Sequence, residues 1–378
     1  MKFCVNSSVF SKAFAKVLSI TSAKPVLPVV QNVLLKPIGN NEVQLIASDP
    51  GCCSAIVTIP VTETENMVPI VLPREELSKY IKCNTGDLDT CIETSGPEDN
   101  QIHIFDFMGD FDFVTSFSAA EFPTEKPIEN AVTLSIDASR LINAMSLAYS
   151  HTGNDDLRPA LGGVFLDFLG DVLNIVASDT KSLFLETIKD VAMAEPCKAL
   201  VNHKASNLIG KLFDTEGNIE ISFNTHFIAF RKDNIEFRAA LCDQRFPAYN
   251  SVIPKNNRVI KFNIKDFIVG TKRASISANT NTNQIIYKYQ NGRVEISASD
   301  AEYSRSAKTS VNVLSVENIK DEFQISFSSS LVERAARDTG STSDIYMLVS
   351  EQTRPALFKA AIDDDRLILL MPMSISDK

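Results

Sequence analysis

The sequence predicts an α+β chain of three tandem copies of one domain, each with two helices packed on antiparallel sheet. Three observations carry that expectation. One phrase occurs three times, as VQLIASD at Val43–Asp49, LNIVASD at Leu173–Asp179 and VEISASD at Val294–Asp300. The final aspartates are 130 and 121 residues apart, too long a period for a solenoid repeat and the right length for a whole small domain. Strand, helix and hairpin signals also fall in the same order in each third of the 378 residues, and a hydrophobic content of 44% is enough for a core in every copy.

The first copy opens with the alternating segment Phe3-Cys4-Val5 and continues into a helix over 7–20. There Phe10, Phe14, Val17 and Leu18 fall on one stripe, with Ser11, Lys12 and Lys16 off it. A strand pair follows, closed by the first A-S-D phrase. From Pro69 a strand leads into a helix over 74–82, with Pro73 at its start, where a missing N–H is tolerated. The segment Phe105–Phe117 reads as a hairpin turning at Gly109-Asp110.

The second copy repeats this with Leu134-Ser135-Ile136, the N-cap Asp137 and a helix to Tyr149 whose stripe is Leu141, Met145 and Ala148. Its second helix spans 203–212, and its hairpin His226–Leu241 turns at Asp233-Asn234. The third copy has Phe262-Asn263-Ile264, a helix over 265–276 carrying Phe267, Ile268 and Thr271, a second helix over 329–338, and a hairpin turning at Asp363–Asp365. Copies one and two share an exit, Glu121-Phe122-Pro123 and Arg245-Phe246-Pro247.

The net charge is −10, which taken alone argues against a nucleic-acid partner. The distribution argues the other way. The six helical segments hold 13 Lys/Arg against 6 Asp/Glu, so the acid lies outside them. Helices sharing one surface would present a basic face able to attract phosphates. On a single helix such cations are simply solvated; their recurrence in all three copies is the signal.

Seven cysteines, odd in number and without a C-x-x-C pair, are expected as reduced, mostly buried thiols. No apolar run is long enough to span a membrane, and Met1–Phe10 lacks a signal-peptide core, so a cytoplasmic location is expected. Phosphate-loop, dinucleotide-binding, metalloprotease and nucleophile-elbow motifs are absent, and the histidines at 103, 151, 203 and 226 lie on separate elements. The clusters Asp110/Asp112 and Asp363–Asp365 fall at hairpin tips, where solvated turn carboxylates are far commoner than metal ligands. Asp49, Asp179 and Asp300 belong to the repeated phrase and are expected to cap the turn after a strand. No enzymatic activity, cofactor or metal is called for.

Several phrases resemble the bacterial DNA sliding clamp, the beta subunit of DNA polymerase III. They are KPVLPVVQNVLL at Lys24–Leu35, RPALGGVFLDF at Arg158–Phe168, VASDTKSLFL at Val176–Leu185, DQRFPAYNSVIPK at Asp243–Lys255 and LLMPMSI at Leu369–Ile375. The resemblance implies three DNA-clamp domains, over 1–129, 130–255 and 256–378. They would form half of a six-domain ring closed head to tail by a second copy. Implied partners are double-stranded DNA, the chain itself, the replicative DNA polymerase, the clamp loader and other clamp-motif proteins; no membrane partner is implied. The function implied is that of a processivity factor that slides without reading sequence.

For DNA contact the resemblance points to Lys24, and to Arg158 with His151 in the loop 150–159. The helix pattern adds Lys82, Lys204, Lys272, Arg273 and Arg334. A partner-peptide groove carried over by motif comprises Leu161, Ser178, Thr180, Lys181, Ser182, Leu183, Pro247 and Val252, with Leu369, Leu370, Met371, Pro372 and Met373 from the C-terminal end. Here the chain departs from the family, which has G-H-R-L at Thr180–Leu183 and an arginine at Ser374, so altered partner preference is expected. Ring closure is expected through Phe111, Phe113, Phe117 and Ile276. Two other readings remain open: a protein- or glycan-binding scaffold of repeated sheets, and a hydrolase using paired carboxylates between domains.

Overall fold

A computed structural model describes the chain apart from residues 23–24, 84–85, 97–98, 126, 156, 194, 320 and 376–378. In the first third lie β1 (Lys2–Asn6), α1 (Ser7–Leu18), β2 (Val33–Ile38), β3 (Glu42–Asp49), β4 (Cys53–Pro60), β5 (Thr62–Glu65), β6 (Ile70–Leu72), α2 (Arg74–Cys83), β7 (Asp89–Ser95), β8 (Gln101–Asp106) and β9 (Gly109–Val114). The middle third holds β10 (Val132–Asp137), α3 (Ala138–Tyr149), β11 (Val164–Phe168), β12 (Val172–Ser178), β13 (Ser182–Lys189), β14 (Cys197–Val201), α4 (His203–Leu212), β15 (Asn218–Phe223), β16 (Phe227–Lys232) and β17 (Ile235–Ala240). The last third holds β18 (Arg258–Asn263), α5 (Ile264–Ser275), β19 (Gln284–Gln290), β20 (Arg293–Asp300), β21 (Arg305–Asn312), β22 (Ser315–Glu317), β23 (Phe323–Ser328), α6 (Ser329–Asp338), β24 (Asp344–Val349), β25 (Ala356–Lys359) and β26 (Arg366–Leu370).

All six expected helices are present, with ends within two residues of expectation. Their local causes repeat. Asn6 and Asn263 cap α1 and α5 with side-chain oxygens, and Asp137 accepts from Arg140 N at 2.9 Å at the start of α3. The buried stripe Phe10, Phe14 and Val17 of α1 has its counterpart in Leu141, Met145 and Ala148 of α3.

Residue contacts divide the chain into two units: Met1–Asn143 with Val201–Asp243, and Ala144–Leu200 with Gln244–Lys378. The first unit contains a five-stranded sheet, β5-β1-β7-β8-β9, and an eight-stranded sheet, β10-β15-β16-β17-β4-β3-β2-β6. In the latter, β17 pairs antiparallel with β4, from Ile235 opposite Val57 to Ala239 opposite Cys53. The second unit contains a nine-stranded sheet, β14-β11-β12-β13-β26-β25-β24-β18-β22, and a four-stranded sheet, β21-β20-β19-β23. Here β26 pairs antiparallel with β13, from Leu370 opposite Ser182 to Arg366 opposite Glu186. Each unit therefore contains one seam where the last hairpin strand of one repeat joins the strand after the A-S-D phrase of the preceding repeat.

Three sequence expectations are corrected. The first hairpin turns at Phe107-Met108, since Asp106 pairs with Gly109, and Asp110 lies within β9. The thiols are not all reduced: Cys4 and Cys91 stand directly opposite each other on β1 and β7 and form a disulfide. Of the rest only Cys53 is buried, and Cys83 is exposed. The turn-capping role fits Asp179 and Asp300 but not Asp49, which instead takes a lysine at 2.6 Å.

Candidate partner groove and helix-borne cations

In the second unit, β12 ends at Ser178 and the chain turns tightly before β13. Asp179 Oδ1 accepts from Lys181 N at 3.0 Å and Ser182 N at 2.6 Å, while Ser178 Oγ donates to Ser182 O at 2.8 Å. The turn holds Thr180 at φ +72°, in the left-handed region that a β-branched residue adopts only under strain. Thr180→Gly is expected to stabilise the unit by about 1 kcal/mol, the relief of strain outweighing the added freedom of the unfolded chain. Urea unfolding of the two proteins measures it.

Beside this turn lies a cavity of about 190 Å³. Leu161, Ser178, Thr180, Ser182, Leu183, Pro247, Val252, Leu369 and Met371 line it. Phe246, Ala248 and Tyr249 also line it, and the groove residues named from the sequence did not include them. The repeated Arg245-Phe246-Pro247 exit was the available signal. Four expected residues do not line the cavity. Leu370 is fully buried, the Lys181 side chain is exposed while its carbonyl accepts from Met371 N at 2.9 Å, Pro372 is half-buried, and Met373 N donates to Ser326 O at 2.8 Å.

The wall is held rigidly. Phe246 stacks on Phe165 with centroids 4.8 Å apart, and Tyr249 donates to Asp167 Oδ2 at 2.8 Å while accepting from Asn174 Nδ2 at 3.0 Å. Burial, then the Asp167 carboxylate, push the Tyr249 phenol up to about 12, so it stays a neutral donor. Val252 and Met371 remain about half exposed. The cavity is well below the roughly 300 Å³ at which drug-sized ligands begin to fit, and it suits one or two apolar side chains of a docked segment.

Behind the groove, Arg334 on α6 donates to Asp179 Oδ2 at 2.8 Å, Ser182 Oγ at 2.6 Å and Ser150 O at 2.7 Å. Burial raises the Asp179 carboxyl, but Arg334 and the Ser182 N–H outweigh it, and the net shift is downward. His151 is fully buried between Ser182, at 3.1 Å from Nδ1, and Asp338, at 3.2 Å from Nε2. Burial, with the nearby Arg334 charge, lowers its pKa, and the opposing pull of Asp338 does not reverse the shift. A lowered imidazole pKa stabilises the fold above the ordinary value of about 6.5, and that contribution is lost as pH falls through the folded value. Melting temperature is thus expected to fall between pH 7.5 and pH 5, with His151→Gln flattening that part of the profile.

The first unit has the matching arrangement. Lys204 on α4 donates to Asp49 Oδ2 and to Ile20 O, both at 2.6 Å. Three residues expected to touch DNA are therefore turned to internal work: His151 is buried, and Lys204 and Arg334 are spent on an A-S-D aspartate and a helix-end carbonyl. The sequence showed helix position but not these tertiary partners. Lys82, Arg158, Lys272 and Arg273 are exposed; Arg158 lies 3.9 Å from Asp155 and Lys272 3.9 Å from Glu333. Lys24 lies outside the described residues. Phe111 and Ile276 are exposed and Phe113 half-buried, whereas Phe117 lies past the end of β9 and packs on the cluster of Val29, Val30, Leu34, Val71 and Phe122. Among the described residues no helix is long and apolar enough to cross a membrane.

Residues 135–248 match the family described as DNA polymerase III beta subunit, central domain. Over 378 residues the chain is 21% identical to the beta sliding clamp of Pseudomonas putida, covering 99% of this chain and 100% of that protein. The crystal structure of the DNA polymerase III subunit beta from Pseudomonas aeruginosa superposes with a TM-score of 0.91 at 21% identity, covering 99% of this chain and 100% of the other. A P. aeruginosa sliding clamp bound to griselimycin gives 0.91 at 22% identity over the same shares of both chains. The resemblance first carried by the repeated phrases holds from end to end: the chain is similar over nearly its whole length to bacterial beta sliding clamps, shares the fold of the beta subunit of DNA polymerase III, and matches that family's central domain over residues 135–248.

Proposed function

We infer that the protein is a DNA polymerase processivity factor acting in the cytoplasm, with no catalytic step of its own. Two copies would close head to tail into a ring of six domains, over 1–129, 130–255 and 256–378 of each chain, around duplex DNA. The end-to-end correspondence with beta clamps carries this reading. Helix-borne cations on an otherwise acidic chain support it, because contacts to phosphate carry no sequence information and permit sliding. The groove would take an apolar segment of a polymerase, loader or repair protein and so tether it to DNA.

Lys82, Arg158, Lys272 and Arg273 are the proposed phosphate-facing cations, with Lys24 by resemblance. The test is retention on closed circular DNA as a function of salt. Retention lost on linearising the circle marks a topological link; equal retention on both forms would refute the ring. Lys272→Glu with Arg273→Glu is expected to flatten the slope of log K against log salt by about 2. An unchanged slope would remove both residues from the contact set.

A further inference from the structure

Three strands of the five-stranded sheet bring two cysteines and a glutamate to one spot. Cys4 on β1 is the direct antiparallel partner of Cys91 on β7, and on its other side it stands opposite Thr62 of β5. Lys2 pairs with Glu65 and Cys4 with Thr62, so two steps along β1 match three along β5. The extra residue makes a bulge, a device that re-aims a side chain. Glu63 lies in it at φ +50°, in the left-handed region, and its Oε2 is 3.3 Å from Cys4 Sγ. The two sulfurs and the carboxylate oxygen all lie within 4.8 Å of one another. Lys2 feels the Glu63 charge but is itself paired with Glu93 at 2.9 Å, which leaves the Glu63 carboxylate available.

We propose that the reduced protein binds a zinc ion through Cys4 Sγ, Cys91 Sγ and a Glu63 carboxylate oxygen, and that the Cys4–Cys91 disulfide is the closed state of the same site. Tetrahedral zinc, with bonds of about 2.3 Å to sulfur and about 2.0 Å to oxygen, sets a sulfur and an oxygen ligand about 3.5 Å apart and two sulfurs about 3.8 Å apart. Cys4 and Glu63 are already near the first spacing. The second is within reach of directly opposed strand residues, whose Cβ atoms are about 4.5–5.5 Å apart, so the sulfurs part by side-chain rotation with the ladder intact. Cys4 is buried, Cys91 half-buried and Glu63 exposed, so the ion sits against the sheet with its fourth position open to water. Two thiolates select zinc or cadmium over magnesium and calcium, which take oxygen ligands. Opening the site consumes two thiols of a reductant. The first, as thiolate, attacks one sulfur of the disulfide and releases the other; the second attacks the mixed disulfide, and the reductant leaves as its own disulfide. Zinc then takes both thiolates, and the two thiol protons pass to solvent. The oxidised sheet is thus stapled across β1 and β7, and the reduced, zinc-bound sheet across β1, β7 and β5.

The site is independent of the ring reading, and zinc chloride alone is the probe. The full chain is stripped of metal, reduced, freed of reductant without air, and given zinc before gel filtration. Retained zinc equimolar with the chain is expected for the reduced protein and none for the disulfide form. Cys4→Ser and Cys91→Ser are each expected to lose the ion, and Glu63→Gln to weaken its binding about tenfold or more. Cys91→Ser, at the half-buried position, keeps the test open where Cys4→Ser fails to fold, as melting curves will show. Cys52→Ser with Cys53→Ser removes the adjacent free thiols and is expected to leave binding unchanged. Cobalt(II) in place of zinc reads the ligands directly: sulfur-to-metal charge-transfer absorption is expected in the unaltered protein and absent in Cys91→Ser. No retained zinc in the reduced protein, zinc that persists in Cys91→Ser, zinc lost with Cys52 and Cys53, or equal affinity in Glu63→Gln overturns the proposal.

Discussion

Arg334→Ala is expected to cost about 3 kcal/mol of stability, the scale for removing one partner of an ion pair shielded from water. The guanidinium makes hydrogen bonds to Asp179, Ser182 and Ser150, and the Arg334 and Asp179 side chains are each about four-fifths buried. Its loss leaves a carboxylate facing the interior and a helix-end carbonyl without its donor. Asp179 keeps its two turn N–H donors, which holds the penalty below that of a fully buried orphan charge. A double-mutant cycle with Asp179→Ala, followed by urea unfolding, is the measurement. The double variant is expected to lose less than the sum of the singles. A single-variant loss under 1 kcal/mol would show that the pair is a solvated surface contact.

Val252→Glu is expected to weaken binding of a short peptide with aliphatic and aromatic anchors by tens to hundreds of fold, or about 2–3 kcal/mol. Val252 is half exposed and lines the cavity, so the change spares the core while placing a charge where an apolar side chain would dock. Met371→Glu is expected to act alike. Ser374→Arg tests the departure from the family pattern: a gain confined to peptides carrying an acidic residue would trace the altered preference to the missing cation. Fluorescence anisotropy with a labelled peptide, beside a melting curve for each variant, separates lost docking from lost folding.

The helices were legible because their signal is local. Apolar spacing, an Asn or Asp cap and a threefold repeat all act within one element, and the ends fell within two residues. What the sequence hid depended on register or on tertiary neighbours. Gly109-Asp110 looked the stronger turn pair, yet the pairing of β8 with β9 puts the turn at Phe107-Met108. The Cys4–Cys91 bond follows from strand register across 87 residues, which no spacing rule supplies. Lys204 and Arg334 look like solvated helix cations on a helical wheel; only the packed structure shows each satisfying an aspartate from another repeat. Most of the expected groove residues do meet at one cavity, because the motif resemblance already carried the tertiary relation that periodicity lacks.

The unit that repeats in this chain is not the unit that packs into one compact body. Each compact body crosses a repeat boundary, and its large sheet is continuous through strands from two repeats. A fragment cut out as one repeat would present raw strand edges and be prone to aggregate. Melting should accordingly occur in two cooperative steps instead of three, and the breaks tolerated by the chain should follow the sheets in preference to the internal periodicity of its sequence. A lineage that duplicates or swaps such repeats could do so only in register with their neighbours, because every exchange must also restore a seam.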